Sequence, residues 1–253
     1  MKMKIIGYSE RGAMNALFYG MANDTSHGVD AMNTFLSNLA RMNNGPFSDF
    51  TIYSEFSLSD FGEPDMMITA KDKEGKNVLF FIEAKVSCGS YYDLSKQLDK
   101  HKKKMNYDSS NLFFQLRLKQ YFVQRIINNT LDNKTDDHLN FFPEELKRLV
   151  NRGKDSKNNL RYIGKNVIVN KTVKKLEAII EPGNVYYIAI IPRQDDSKES
   201  KTLNEVKETY GLDFHIVTWE RICKEEMLKD YVALTIDFNK EDDKNKSQIL
   251  NRL

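Results

Sequence analysis

The stretch from Gly62 to Lys85, GEPDMMITAKDKEGKNVLFFIEAK, constrains the fold more than any other part of the chain. It reads as two apolar strands joined by a turn at Lys73-Glu74-Gly75-Lys76, where the glycine is well placed for a hairpin. The first strand spans Asp65 to Lys71 and the second Asn77 to Val86. Side chains alternate along a strand, so Val78, Phe80, Ile82 and Ala84 share one face. Leu79, Phe81, Glu83 and Lys85 share the other. A strand this apolar on both faces belongs in the middle of a sheet. Yet its second face ends in a carboxylate and an ammonium beside the Ser87-Cys88-Gly89-Ser90 loop, with Asp65 at the start of the partner strand. Grouping such charges at the end of an apolar hairpin is costly unless something compensates, and a bound metal would do so.

Around this hairpin the pattern alternates between helical and extended segments. Ser9-Glu10-Arg11-Gly12 opens a helix, with Ser9 as N-cap and Ala13, Leu17, Phe18 and Met21 at helical spacing. A second helix runs from about Val29 to Met42, stopped by Asn43-Asn44-Gly45-Pro46. Phe50 to Leu58 alternates as a strand. Helices are predicted over Asp93–Met105 and Asn111–Asn128. Asn184 to Pro192 reads as a buried strand and Phe214 to Val217 as the next. Thr218 caps a helix through about Leu228, and Tyr231 to Phe238 is a final strand. The tail from Asn239 is polar. This order predicts an α/β sandwich with a mixed sheet, whose first three strands form a meander and whose later strands arrive by helical crossovers.

The chain has 253 residues, enough for one large domain, and its 40% hydrophobic content supports a real core. Net charge is only +2, so any nucleic-acid surface must be local. Basic residues gather at Lys100 and Lys102 to Lys104, and between Lys147 and Lys175. From Phe142 to Glu177 there are ten Lys or Arg against four acidic residues. These are expected to be solvated helix faces or a track for phosphates. Two distant cysteines, Cys88 and Cys223, exclude a disulfide framework and fit a reducing cytoplasm. The apolar part of MKMKIIG is too short for a secretory signal, and the apolar run ending at Pro192 is too short for a membrane span. A soluble cytoplasmic protein with no membrane partner is expected. The four histidines form no ligand spacing, and Trp219 is expected to anchor the core.

The charged trio suits phosphodiester hydrolysis. That reaction needs a nucleophilic water, neutralisation of charge on the transition state and help for the leaving oxygen. Mg²⁺ supplies much of this through oxygen ligands and retained waters. Asp65 and Glu83 offer two hard ligands, with the Ala84 carbonyl as a third. Lys85 would orient the water and steady developing negative charge.

Pro64-Asp65 followed by Glu83-Ala84-Lys85, on a hairpin preceded by a helix, resembles the PD-(D/E)XK nuclease superfamily. The resemblance covers the first hundred residues and roughly 184–228. It implies a restriction-endonuclease-like three-layer sandwich, a central mixed β-sheet flanked by helices, as a single domain over 1–253. The core would be about 1–105 and 184–238, with a basic helical insertion at about 106–183. It also implies a catalytic set of Glu10, Asp65, Glu83, Lys85 and Gln97. Metal ligands would be Asp65, Glu83, Ala84 and Glu10, with Mn²⁺ substituting for Mg²⁺. Glu10 on the first helix sits where many members carry a further acid, and is preferred to Glu55 or Glu63. Gln97, in DLSKQLDKH, resembles a glutamine that some branches use near the active site. FHIVTWERI, Phe214 to Ile222, looks like a late strand–helix unit of prokaryotic members. The implied activity is cleavage of DNA in restriction, phage defence or repair, and a homodimer would suit double-strand cleavage. RNA as substrate, or a non-catalytic nucleic-acid-binding or assembly module of the same fold, are the alternatives.

Overall fold

A computed structural model of the chain describes residues 10–54, 56–58, 61–85, 92–103, 111–128, 167–192 and 196–233. Five strands form one mixed sheet: β1 (Ser48–Ser54), β2 (Met66–Lys71), β3 (Asn77–Ala84), β4 (Val185–Ile191) and β5 (His215–Thr218), in the order β1-β2-β3-β4-β5. β1, β2 and β3 are antiparallel neighbours, whereas β3, β4 and β5 run parallel. The expected meander and helical crossovers are therefore present. The β2–β3 turn closes on the Asp72 side chain, whose Oδ1 accepts from the backbone N–H groups of Glu74 and Lys76. Gly75 takes φ +78° there, a conformation that favours glycine.

Two apolar cores sandwich the sheet, as the alternation along β3 demands. On one face Val78, Phe80, Ile82 and Ala84 meet α1 (Glu10–Asn23), α2 (Gly28–Asn33) and α7 (Trp219–Lys224). On the other, Leu79 and Phe81 meet α3 (Leu94–Lys102), α4 (Leu112–Ile127), α5 (Val167–Glu177) and α6 (Asp196–Tyr210). Rings stack across the β3–β4 ladder on both sides. Phe80 lies 5.4 Å from Tyr186, and Phe81 lies 5.9 Å from Tyr187. Such cross-strand aromatic pairs lock the register that carries Glu83 to its place.

Several elements differ from the sequence reading. The Val29–Met42 helix is α2 followed by a π-helical stretch, Thr34–Leu39, in which Ala40 N–H donates to the carbonyl of Phe35. β1 closes at Ser54 rather than Leu58. Residues 229–233 are helical, so the expected final strand from Tyr231 is corrected at its start; 234–238 lie outside the described residues. α6 had no counterpart in the sequence reading. Part of the stretch expected as an insertion, 106–183, belongs to the layer over the sheet. α4 buries Leu112, Phe113, Leu116 and Phe122 in the same core as β3 and β4, and α5 adds Val173 and Leu176. Residues 129–166 of that stretch lie outside the described residues.

Candidate active site

The parallel strands β3, β4 and β5 end at one edge of the sheet, the side where open α/β sheets place ligands. β2 starts at that edge. Its register pairs Met66 with Ile82, so one step further along the ladder Asp65 comes opposite Glu83. Asp65 follows the buried Pro64 and is half-buried. Its Oδ2 accepts the backbone N–H of Ala84 at 2.8 Å, which fixes the carboxylate against the end of β3.

Glu83 is fully buried, with 0% exposure. Burial is the first cause that pushes its carboxyl up from the usual 4.5 to about 7; the Lys119 ammonium pulls it down, Asp65 pushes it up, and Lys85 pulls it down. All three charged neighbours therefore act on one carboxylate. Lys119 Nζ lies 2.8 Å from Glu83 Oε1, and the lysine is 1% exposed. Lys119 acts on Glu83 through charge and through its close approach to Oε1, whereas Oε2 has no hydrogen-bond partner among the described residues. A buried carboxylate with an unsatisfied Oε2 is a ready oxygen donor for a cation.

Lys85 stands just past β3. Its backbone N–H donates to the carbonyl of Ile190 at 2.8 Å, and its carbonyl accepts Nε1–H of Trp219 at 3.1 Å. Trp219 is buried at the start of α7, as a core anchor should be. Thr218 caps that helix, accepting from Arg221 N–H, as its sequence position predicts. The Lys85 ammonium lies 3.1 Å from Oε1 of Glu10, the first residue of α1. Glu83 and Lys85 thus reach helices on opposite sides of the sheet. The expectation that Glu83 and Lys85 share one face is thereby corrected: β3 ends at Ala84, so strand alternation does not extend to Lys85.

The structure brings together Asp65, Glu83 and Lys85, with Glu10 joined to them through Lys85. Gln97 is held by Asn111: its backbone carbonyl and its Oε1 both accept from Nδ2 of Asn111, at 3.0 Å each. Asn111 in turn caps α4 by accepting from Phe114 N–H. Gln97 thereby fastens α3 to the start of α4, and among the described residues none of its hydrogen bonds reaches Asp65, Glu83 or Lys85. Glu55 lies outside the described residues, and Glu63 is exposed.

Lys119 is the residue that the sequence reading passed over. The signal was present. Leu112, Leu116, Lys119, Val123 and Ile126 follow the 4-3-4-3 spacing of one helix face, and a lysine in an apolar stripe requires a buried anion. Gly62 lets the covering loop pass close to it. At φ +82° its missing Cβ would stand 3.2 Å from Lys119 Nζ. Phe61 beside it packs on Phe122 of α4, with ring centroids 5.4 Å apart.

The donor chemistry fits a hard divalent cation: two carboxylates from adjacent strands, one with an orphaned buried oxygen. Among the described residues no group of three or more His, Cys, Asp or Glu is gathered to hold a metal. Asp65 and Glu83 would therefore be completed by the Ala84 carbonyl and by water, in keeping with the retained hydration of Mg²⁺. The basic segments singled out in the sequence show two kinds of environment. Lys102 on α3 pairs with Glu205 on α6, whereas Lys171, Lys174 and Lys175 form an exposed face of α5. Among the described residues no helix is long and apolar enough to cross a membrane. Compared with protein-family models, with curated proteins and with solved structures, the chain matches none of them.

Proposed function

We propose that this protein is a divalent-metal-dependent nuclease of the restriction-endonuclease-like fold, acting on DNA. The observation that carries the reading is the meeting of Asp65, Glu83 and Lys85 at the end of β3, with one carboxylate buried and incompletely satisfied. A cation held by Asp65, Glu83 and the Ala84 carbonyl would supply charge neutralisation on the phosphate and a more acidic bound water. The protein supplies the rest. Asp65 is oriented by the Ala84 N–H, which donates to its Oδ2. Lys85 presents a positive charge to the phosphate oxygens, where negative charge grows in the transition state. Glu10 holds that ammonium in place, and Trp219 pins the Lys85 backbone. Exposed lysines on α5 and α3 offer contacts to flanking phosphates, which position the strand without reading its sequence. Restriction, phage defence and repair are the settings that the superfamily resemblance suggests, and a homodimer would present two such sites to a duplex.

One observation favours a second reading. The Lys119 ammonium already neutralises Glu83. In a non-catalytic module of the same fold, that pair would be permanent and no metal would enter. Incubating purified protein with DNA and Mg²⁺ or Mn²⁺, beside a Lys85→Ala variant, separates the two. Metal-dependent cleavage that falls by roughly a hundredfold or more in the variant supports the nuclease. Equal cleavage by both proteins would remove the assignment, and no cleavage of DNA or RNA by either would favour the binding module.

A further inference from the structure

We propose that Lys119 is a positioning residue that acts as a built-in cation: it holds the Glu83 carboxylate in place and is displaced when a divalent metal binds. The inference rests on the metal-dependent reading above. Lys119 rises from α4 into the core between helix and sheet, and its Nζ contacts Glu83 Oε1 at 2.8 Å. With both side chains sealed from solvent, the ammonium answers the charge that a metal would otherwise neutralise. It is on the opposite side of Glu83 from the Lys85–Glu10 pair, because α4 and α1 cover opposite faces of the sheet. The two lysines therefore have separate tasks. Lys85 is balanced by Glu10 and remains beside the phosphate, whereas among the described residues Lys119 is balanced only by the carboxylate that the metal needs.

Two cations close to one carboxylate repel each other in a dry site. Metal entry at the free Oε2 of Glu83 therefore opposes the hold of Lys119 on Oε1 and pushes its ammonium aside. Rotation about the Cγ–Cδ and Cδ–Cε bonds of Lys119 moves Nζ, and Gly62 places no side chain over it. The glycine lets the ammonium retreat toward the loop. In this arrangement Lys119 keeps Glu83 from collapsing or mispairing in the metal-free protein, and sets the metal concentration at which the site loads.

Mn²⁺ binding to the full-length chain tests this, read by the electron paramagnetic resonance of free Mn²⁺ and by the rise in unfolding temperature with Mn²⁺. Wild type, Lys119→Met, Lys119→Gln and Glu83→Gln are compared at one pH. Lys119→Gln keeps an amide against Glu83 and guards against a folding failure of Lys119→Met. The expected result is Mn²⁺ affinity at least roughly tenfold tighter in the Lys119 variants than in wild type, and lost in Glu83→Gln. A merely structural lysine would leave affinity unchanged or weaken it. Unchanged or weaker affinity in the Lys119 variants, with binding still dependent on Glu83, overturns the role of Lys119 and leaves the metal site standing. Absence of Mn²⁺ binding in every protein overturns both.

Discussion

The ammonium of Lys119 on α4 lies 2.8 Å from Glu83 Oε1 on β3, with both side chains shut away from water. Taking two charges out of solvent costs several kcal/mol per ion, and their attraction offsets this only in part. An apolar pair of similar volume would fill the same space without that cost. The pair therefore marks a place where charge serves something besides stability. Removing one partner, by Lys119→Met, is expected to cost about 3–5 kcal/mol, because it leaves a buried carboxylate alone. The double variant Lys119→Met/Glu83→Leu is expected to recover that loss and to equal or exceed wild type. Urea unfolding of the three proteins measures it. A double variant less stable than the single one would show that the pair is needed for folding.

Glu83 also imposes a pH dependence. Its folded-state carboxyl is pushed up to about 7, chiefly by burial, against an ordinary 4.5. Between those values the folded chain holds a proton that the unfolded chain has released. This contribution to stability is full below about pH 4.5, falls as pH rises to about 7, and is flat above. Its size is on the order of 3 kcal/mol. Unfolding free energies at pH 5 and pH 8 should therefore differ by that much more in wild type than in Glu83→Gln. Parallel pH profiles for the two proteins would contradict the burial argument.

Trp219 supports Lys85 through a single buried hydrogen bond at 3.1 Å. Trp219→Phe keeps most of the apolar volume but leaves the Lys85 carbonyl short of a donor. The expected stability loss is about 1–3 kcal/mol from the unmet bond. DNA cleavage should fall further than stability alone explains, because the lysine backbone is freed. Activity measured well below the unfolding temperature, beside Trp219→Tyr as a volume control, checks it.

Gly62 and Gly75 offer an internal comparison. Both have positive φ, +82° and +78°. Each should lose roughly 1–2 kcal/mol on change to alanine from backbone strain alone. A Cβ at Gly75 meets nothing within 4 Å, whereas one at Gly62 meets Lys119 Nζ at 3.2 Å. Gly62→Ala should therefore be the more destabilising of the two, and it alone should alter Mn²⁺ affinity. Equal effects would mean that the Gly62 loop has no bearing on the lysine.

The hairpin, the alternation of β3 and the Thr218 cap were legible because each rests on local rules: turn chemistry, period-two patterning and side-chain capping. The coarse architecture, an α/β fold with a five-strand mixed sheet, followed from them. The meeting of Asp65 with Glu83 was legible for the same reason, since adjacent strands in known register bring defined residues side by side. The common face expected for Glu83 and Lys85 fails because Lys85 lies past the end of β3. What escaped depended on distant parts of the chain. Lys119 lies 36 positions from Glu83 in sequence, and only the packing of α4 on β3 unites them. The π-helical stretch escaped because Phe35, Leu36 and Leu39 follow a spacing that an ordinary α-helix also presents to a core. α6 was missed because its charged sequence, DSKESKTLNEVKETY, buries little more than Thr202 and Val206.

The central claim is that the end of β3 is a metal-dependent catalytic site, and a crystal of the full chain soaked in Mn²⁺ tests it most directly. Anomalous scattering should place an ion between Asp65 and Glu83, in contact with the Ala84 carbonyl, with Lys119 withdrawn from Glu83 and Lys85 still beside Glu10. A soaked crystal that shows no ion there, with Lys119 still seated on Glu83, would contradict it.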